Sequence, residues 1–318
     1  MKNIFLNVLK ISLAAGLIFY LVRNNHIDVP GLLRSLWGPP LLLYLAINLA
    51  LYALMTKRLQ LILRLSSVTC DYPSLLKFNF IGAFFNFALP GSVSGDVVKG
   101  VYIAKHAGVT KARALFSALL DRTVALYTFI LGGCLVVFLP QKLWLDSYYL
   151  DFILTVMIVG FVVWTLTAFF SARLLAKKYS DQSKLHQGRT ARYLHEFALG
   201  AQTFLRSPRQ LFAILCLSLL GQVLYVWMFM MISDQLTGNH LVGYWTHFFV
   251  QSVGLMLVAI PISPAGIGVG QAVFHFLYGE ILGNTSSLGA TAISVVQILN
   301  LIMGLIGAYF FITLRHKR

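Results

Sequence analysis

The sequence predicts an all-α polytopic membrane protein with six full transmembrane helices and two re-entrant hairpins that enter from opposite sides. Of its 318 residues, 58% are hydrophobic and 11% are charged, whereas about 25% of residues in soluble proteins are charged. The 25 Lys and Arg residues outnumber the 10 Asp and Glu residues, but they separate apolar stretches of bilayer length. This composition excludes a soluble domain, and nucleic acid is not an expected partner.

Six apolar stretches approach the length of about 20 residues that a helix needs to cross about 30 Å of hydrocarbon. The first is interpreted as a retained helix and not a signal peptide, because Lys10 interrupts it and no small-residue cleavage site follows. The six predicted spans comprise residues 4–22, 39–56, 112–139, 151–172, 210–232 and 287–314.

The basic residues predict the orientation, since Lys and Arg accumulate in cytoplasmic loops. With the loops assigned alternately, 21 of the 25 basic residues fall on one side, including Lys57, Arg58 and the eight between Arg173 and Arg209. Both termini are therefore predicted to face the cytoplasm.

Two further apolar stretches fit this alternation only if each enters the membrane and leaves it again on the same side. Residues 78–90 have basic flanks at both ends, whereas residues 244–282 have uncharged or acidic flanks and a Pro- and Gly-rich centre. The first is predicted to be a re-entrant hairpin from the cytoplasm and the second one from outside. Two full spans are the alternative for the second stretch.

The same order of elements thus occurs twice in opposite orientation, as in many secondary transporters. The chain is predicted to be a single transmembrane domain, residues 1–318, with inverted halves at residues 1–140 and 141–318. The topology alone indicates this repeat, because no clear residue-level match between the halves is evident.

The first helix break predicts a polar cavity at membrane depth. Non-helical backbone there has to line a cavity or be buried in protein, because unpaired amides are costly in lipid. Asn86, Pro90, Gly95, Asp96 and Lys99 surround the break. Glycine backbone, a helix N-terminus and a lysine ammonium together suit a phosphate, and an ordinary reversing loop with Lys99 in solvent is the alternative.

Asp121 and Arg122 lie about 15 Å along a predicted span, where a charge costs about 2.5 to 3.5 kcal/mol or more unless it is paired or hydrated. Adjacent helical residues do not face each other, so each needs its own partner, and Asp96, Lys99 and the first hairpin are the candidates. The pair is interpreted as a contact for a head group or a coupling ion. A purely structural buried ion pair is the alternative.

In the second break, Ser263, Pro264, Gly266, Gly268 and Gln271 are candidate ligand contacts. The polar side chains among them can hydrogen-bond a ligand or only satisfy backbone groups that the break leaves unpaired. A dinucleotide site is excluded, because the alternate glycines follow no strand. No cofactor or metal is expected, because the eight histidines form no HExxH motif and no cluster.

Taken together, these motifs resemble a known family. The segment 86–90, Gly95-Asp96, Lys99, Asp121-Arg122 and the turn at 261–268 resemble the flippase-like integral membrane family. Its best-known member is the transmembrane flippase region of lysylphosphatidylglycerol synthase, the multiple peptide resistance factor. The resemblance covers nearly the whole chain and implies a cytoplasmic (inner) membrane protein that moves lipid, such as an aminoacylated phosphatidylglycerol, between leaflets.

The chain departs from this family in three respects. The soluble aminoacyltransferase domain is not expected in a sequence that ends at Arg318, so lysyl-lipid synthesis is not implied. Lys99 stands where the family often has Arg, and Gln271 stands where it often has Glu. A protonatable carboxylate is therefore missing from the second hairpin.

The resulting hypothesis is a lipid translocase and not an enzyme. It moves a phospholipid or polyprenyl-linked lipid between leaflets and binds the anionic group at a midmembrane polar cavity. The main alternative is a non-transporting membrane component of a cell-envelope lipid or glycan assembly complex, and a small-solute transporter or membrane enzyme is a further one. A homo-oligomer or a partner lipid-modifying enzyme is compatible with this hypothesis.

Overall fold

A computed structural model describes residues 12, 15–89, 94–135, 148–179, 207–260, 262–282 and 286–316. The regular secondary structure of these residues is helical, which confirms the predicted fold class. One 3-10 turn, Pro264–Gly266, lies in the second break. The α-helices are α1 (residues 15–23), α2 (Val29–Ser35), α3 (Pro39–Leu65), α4 (Tyr72–Ala88), α5 (Ser94–Ala107), α6 (Lys111–Leu135), α7 (Tyr148–Tyr179), α8 (Pro208–Thr237), α9 (Tyr244–Val258), α10 (Val269–Leu282) and α11 (Leu288–His316).

Among the described residues, five helices are long and apolar enough to cross a membrane: α3, α6, α7, α8 and α11. They match five of the six predicted spans, whereas the span at residues 4–22 lies mostly outside the described residues. Large apolar side chains such as Phe152, Val159 and Val163 on α7 are more than half exposed, as expected of a surface that faces lipid. The chain is therefore a multi-pass membrane protein.

Proline and capping residues set several helix ends. Pro39 and Pro208 stand in the first turns of α3 and α8, where a missing N–H has no cost. Asp71 caps α4 by accepting a hydrogen bond of 3.0 Å from the Ser74 amide. Gly238 ends α8 with a φ of 72°, a left-handed conformation that suits glycine.

Helix α3 continues beyond the predicted end of its span at residue 56. Lys57 and Arg58 lie within the helix, and Arg58 is only 6% exposed. The interpretation of Arg58 as a cytoplasmic loop residue is therefore wrong. Its charge has a partner inside the protein, which the basic-loop rule does not consider.

Each predicted hairpin is a pair of short helices that pack against each other across a break. Helices α4 and α5 have 17 and 14 residues, and α9 and α10 have 15 and 14. At 1.5 Å per residue these helices are about 21 to 26 Å long, shorter than the hydrocarbon core. This favours a hairpin over two full spans at residues 244–282. The first hairpin, α4 and α5, extends well beyond the predicted residues 78–90.

The helix contacts of the first part of the chain recur in the second. Helix α4 packs on α5 and α5 on α6, and in the same way α9 packs on α10 and α10 on α11. Helix α4 also packs on α11, and α9 packs on α6, while α3 and α8 contact each other. If α3, α4, α5 and α6 are exchanged for α8, α9, α10 and α11, respectively, the same set of contacts results. A twofold rotation that relates the two sets of helices would produce this pattern.

Candidate functional site

Arg122 on α6 joins the two breaks. One guanidinium nitrogen lies 3.1 Å from an Asp96 carboxylate oxygen at the start of α5. The other donates a hydrogen bond of 2.6 Å to the Ala259 carbonyl oxygen, where α9 ends. Asp96 is thus the one of the candidate partners that pairs with Arg122, and the second hairpin supplies an additional contact.

Lys99 is a second cation on Asp96. Its ammonium nitrogen lies 3.0 Å from the other Asp96 oxygen, and the Lys99 side chain is 7% exposed. The alternative in which Lys99 lies in solvent is therefore wrong. Asp96 holds two cations, one from its own helix and one from α6.

Asp121 pairs with Arg58, a residue that the sequence did not mark as part of a site. Arg58 Nε lies 2.7 Å from Asp121 Oδ1, both side chains are buried, and Arg58 also donates to the Ser218 hydroxyl at 3.3 Å. The sequence did contain a signal for a longer helix, because Leu59, Ile62 and Leu63 continue the apolar pattern past Arg58.

These charges form one group with an excess of positive charge. Arg58, Lys99 and Arg122 are the cations, and Asp96 and Asp121 are the carboxylates that hold them. The adjacent positions of Asp121 and Arg122 on α6 link the two sets. Among the described residues, three cations thus share two carboxylates, and this positive field favours the approach of an anion.

A cavity of about 370 Å³ lies between α3, α4, α6, α8, α9 and α11, which is within the usual size range of ligand sites. Both hairpins contribute to its wall, through Asn86 on α4 and through Ala259 and Ala265 in the second break. Arg58 is the one charged side chain among the described residues of the wall. The other polar groups include the carboxamides of Asn48, Asn86, Gln222, Gln297 and Asn300.

Asn86 and Gly95 hold the first hairpin together near its tip. Asn86 Oδ1 accepts a hydrogen bond of 2.9 Å from the Gly95 amide, and Ser94 Oγ donates to the Phe85 carbonyl at 2.9 Å. Asn86 therefore has both a structural contact and a place in the cavity wall. Pro90, predicted to be part of this site, lies outside the described residues.

Replacing Gly95 by alanine is expected to destabilise the protein strongly. An added Cβ would stand far inside van der Waals contact with the Gly82 carbonyl oxygen on α4, and 2.6 Å from Asn86 Oδ1. Because the nearest atom belongs to the backbone, α4 and α5 would have to separate. Thermal unfolding in detergent measures the effect.

Gly160→Ala on α7 is the matched control, since no atom of another described residue lies within 4 Å of its added Cβ. Alanine favours a helix by about 1 kcal/mol over glycine, so this variant should be at least as stable as wild type. Equal melting temperatures for Gly95→Ala and wild type would contradict the close approach of α4 and α5.

In the second break, the backbone itself requires glycine at two candidate positions. Gly266 and Gly268 have φ of 72° and 83°, values that residues with a Cβ rarely adopt. Pro264 begins the 3-10 turn that contains Gly266. The buried hydroxyl of Ser263, just before this turn, has no hydrogen-bond partner among the described residues. The turn therefore explains both glycines without a ligand.

Gln271 satisfies groups that the break would leave unpaired. Its Oε1 accepts a hydrogen bond of 2.8 Å from the Gly268 amide, and its Nε2 donates to Gln297 Oε1 at 2.6 Å. Gln297 Nε2 in turn donates to the Gly266 carbonyl at 3.2 Å. Gln271 is 2% exposed and is not among the residues that line the cavity, so the geometry favours the structural alternative for this residue.

The Gln271–Gln297 contact has the same place in the second part of the chain as Asp96–Arg122 has in the first. In both cases the two residues are 26 positions apart. Gly95-Asp96 begins α5 and Gly270-Gln271 begins α10, while Arg122 and Gln297 lie on the long helices that follow. One part of the chain thus has a charged pair where the other has an amide pair.

A separate cluster closes the base of the first hairpin. Donor atoms of Cys70, Asp71 and His106 lie within 4.8 Å of one another and could hold a metal ion. The Asp71 carboxylate contacts His106 at 2.7 Å. Hydrogen bonds from Ser74 first, and from His106 second, lower the pKa of Asp71 to about 2. The sequence did not indicate this cluster, because 35 residues separate its aspartate from its histidine.

No curated protein and no solved structure matches the chain. A family model does match, over residues 7–308, and it describes the lysylphosphatidylglycerol synthase TM region. The matched range contains both hairpins and every residue of the charged group. It agrees with the resemblance that the two breaks and the Asp-Arg pair carry in the sequence. The chain therefore belongs to the lysylphosphatidylglycerol synthase TM region family.

Proposed function

We propose that the protein translocates a phospholipid or a polyprenyl-linked lipid between the leaflets of the cytoplasmic membrane. The observation that carries this proposal is the excess positive charge of Arg58, Lys99 and Arg122 over Asp96 and Asp121. A lipid phosphate would be attracted by this positive field and accept charge-assisted hydrogen bonds.

The cavity also offers a route for the lipid tails. Most of its wall is apolar, including Leu51, Phe87 and Phe129. Met55 lines the cavity and is also 45% exposed, so the cavity approaches the lipid-facing side of α3. A lipid could therefore place its head group inside while its acyl chains stay in the bilayer.

The proposed movement is an exchange between two inverted halves, residues 1–140 and 141–318. Its support is the correspondence of helix contacts and the equivalent positions of the Asp96–Arg122 and Gln271–Gln297 pairs. In this mechanism each re-entrant hairpin opens the cavity toward its own side of the membrane. Arg122, which contacts both breaks, would couple the two openings.

Reconstituted vesicles test the proposal directly. Vesicles containing the protein should transfer a fluorescent anionic phospholipid between leaflets faster than protein-free vesicles. Lys99→Ala, which removes one buried cation, should slow transfer, and Lys105→Ala, at an exposed position near the end of the same helix, should not. If no phospholipid or polyprenyl lipid moves faster than in empty vesicles, a non-transporting assembly component becomes the better hypothesis.

The proposed orientation predicts which loops a membrane-impermeant thiol reagent reaches in intact cells. In a background with Cys70, Cys134 and Cys216 replaced by serine, a cysteine at Asn239 should be labelled and one at Lys105 should be protected. Both positions are exposed, so burial does not account for a difference. Labelling at Lys105 with protection at Asn239 would reverse the orientation and place both termini outside.

A further inference from the structure

We infer that the cavity selects lipids whose head group beyond the phosphate is uncharged and hydroxylated, such as a glycerol or a sugar. Lipids with an aminoacylated, cationic head group should bind less well. This inference rests on the proposed function and names the substrate class of the same site. It starts from the chemistry of the cavity wall.

Carboxamides provide much of the wall's hydrogen-bonding capacity, and none of its described residues carries a carboxylate. Asp121 is close by, but its carboxylate contacts Arg58 and is not part of the wall. A carboxamide both donates and accepts hydrogen bonds, as a hydroxyl group does. The wall therefore matches a head group with several hydroxyls.

Two of these amides keep capacity for a ligand. Asn48 Nδ2 donates to Asn300 Oδ1 at 3.4 Å, a long contact that uses one donor and one acceptor. The other polar atoms of these two side chains, Asn48 Oδ1 and Asn300 Nδ2, have no hydrogen bond to another described residue. A diol placed between these two side chains can accept from one and donate to the other.

The comparison of the two halves predicts how a bound lipid is oriented in the cavity. The first half has the cations, whereas at the equivalent place the second half has Gln271 and Gln297. Gln297 and Asn300 bring amides from α11 to the wall, and Arg58 brings a cation from α3. The phosphate should therefore lie toward Arg58, with the head group toward α11.

A cationic head group is disfavoured here for two reasons. The nearby group of ion pairs already has an excess of positive charge, so an ammonium would meet repulsion. It would also find no carboxylate in the described wall, and burying an unpaired ammonium is costly. A lysyl group would have to leave its charge outside the cavity.

Native mass spectrometry of the full chain can rank the lipids. The protein, in a detergent without a sugar head group, is mixed with equal amounts of three dioctanoyl lipids: phosphatidylglycerol, lysylphosphatidylglycerol and phosphatidic acid. Phosphatidylglycerol should be retained at least about fivefold over each of the others, a factor that one hydrogen bond typically provides. Phosphatidic acid tests the hydroxyls, and the lysyl lipid tests the charge.

A pair of asparagine variants tests the missing carboxylate. Asn300→Asp places a carboxylate in the wall and should raise retention of the lysyl lipid relative to phosphatidylglycerol at least about fivefold. Asn79→Asp is the matched control, because Asn79 is, like Asn300, a partly buried asparagine but lies outside the wall, and it should leave the ratio unchanged. If Asn300→Asp does not fold, the wild-type ranking still decides.

Equal or preferential retention of the lysyl lipid by the wild-type protein would overturn this inference. So would equal retention of phosphatidic acid and phosphatidylglycerol. Neither result affects the proposed function if vesicles still move phospholipid. A failure of every lipid to move in vesicles would reject translocation, and the retention ranking would still show which head groups the cavity binds.

Discussion

Replacing Asp121 by leucine is expected to lower the free energy of unfolding by about 3 to 5 kcal/mol, because Arg58 then remains buried without a counter-charge. Arg58 and Asp121 are 6% and 4% exposed, and their charged groups are 2.7 Å apart. The Ser218 hydroxyl is the other side-chain contact of Arg58, and a neutral oxygen does not replace a carboxylate. The fraction of protein that remains monodisperse after heating in detergent measures the loss.

The double variant Arg58→Met/Asp121→Leu distinguishes lost charge from lost packing. Replacing both members of a buried ion pair by apolar residues is often neutral or stabilising, so this variant should recover most of the loss. It should still fail to move anionic lipid, because Arg58 is the charged residue of the described cavity wall. A double variant as unstable as Asp121→Leu would assign the loss to packing instead.

The Asp71–His106 pair provides a control with equal distance and different burial. The His106 ring nitrogen and the Asp71 carboxylate oxygen are also 2.7 Å apart, but the two side chains are about half exposed. Exposed pairs contribute about 1 kcal/mol or less, so His106→Leu should have a small effect. A large loss from His106→Leu would show that distance, and not burial, determines the cost.

The long helices could be predicted from the sequence because bilayer thickness sets their length. Helices α6, α8 and α11 begin and end within a few residues of the predicted spans. The end of α3 could not be predicted in the same way. Loop assignment treats every basic residue as solvated, and Arg58 is a buried exception whose partner lies 63 residues away.

The charged site was only partly predictable for the same reason. Arg122 is a charge at membrane depth, so the cost of leaving it alone made Asp96, at a predicted break, one of its candidate partners. Asp121 offered no comparable clue, since its partner lies on a helix whose end was placed before Arg58. Contacts between helices distant in sequence decide such pairings, and hydropathy does not report them.

The two breaks share short sequence segments whose likeness is obscured by a difference in loop length. Ala88-Leu89-Pro90 resembles Ala259-Ile260-Pro261, and Gly95-Asp96 resembles Gly270-Gln271. The second break has a longer connection between its two matching segments, which shifts the register between the halves. The shared separation of 26 residues in the two pairs became evident only from their contacts.

Replacing Arg122 by leucine is expected to stop most lipid transfer while the protein stays folded, unlike Asp121→Leu. Asp96 keeps Lys99 at 3.0 Å, so the variant leaves no carboxylate without a cation. The link between the first hairpin and the Ala259 carbonyl is lost, however. A hydrogen bond from a charged donor is worth about 1.5 to 3 kcal/mol, so the initial transfer rate should fall at least about tenfold.

Arg122→Lys separates the charge from the bridge. A single ammonium retains attraction to Asp96 but lacks the planar fork with which arginine reaches Asp96 and Ala259 together. Its transfer rate should therefore also fall, with a melting temperature near that of wild type. Lys111→Leu, at an exposed position on the same helix, should transfer lipid normally. Normal transfer by Arg122→Leu would reject coupling of the two hairpins through this arginine. Loss of folded protein in the same variant would show that Lys99 alone does not neutralise the Asp96 carboxylate.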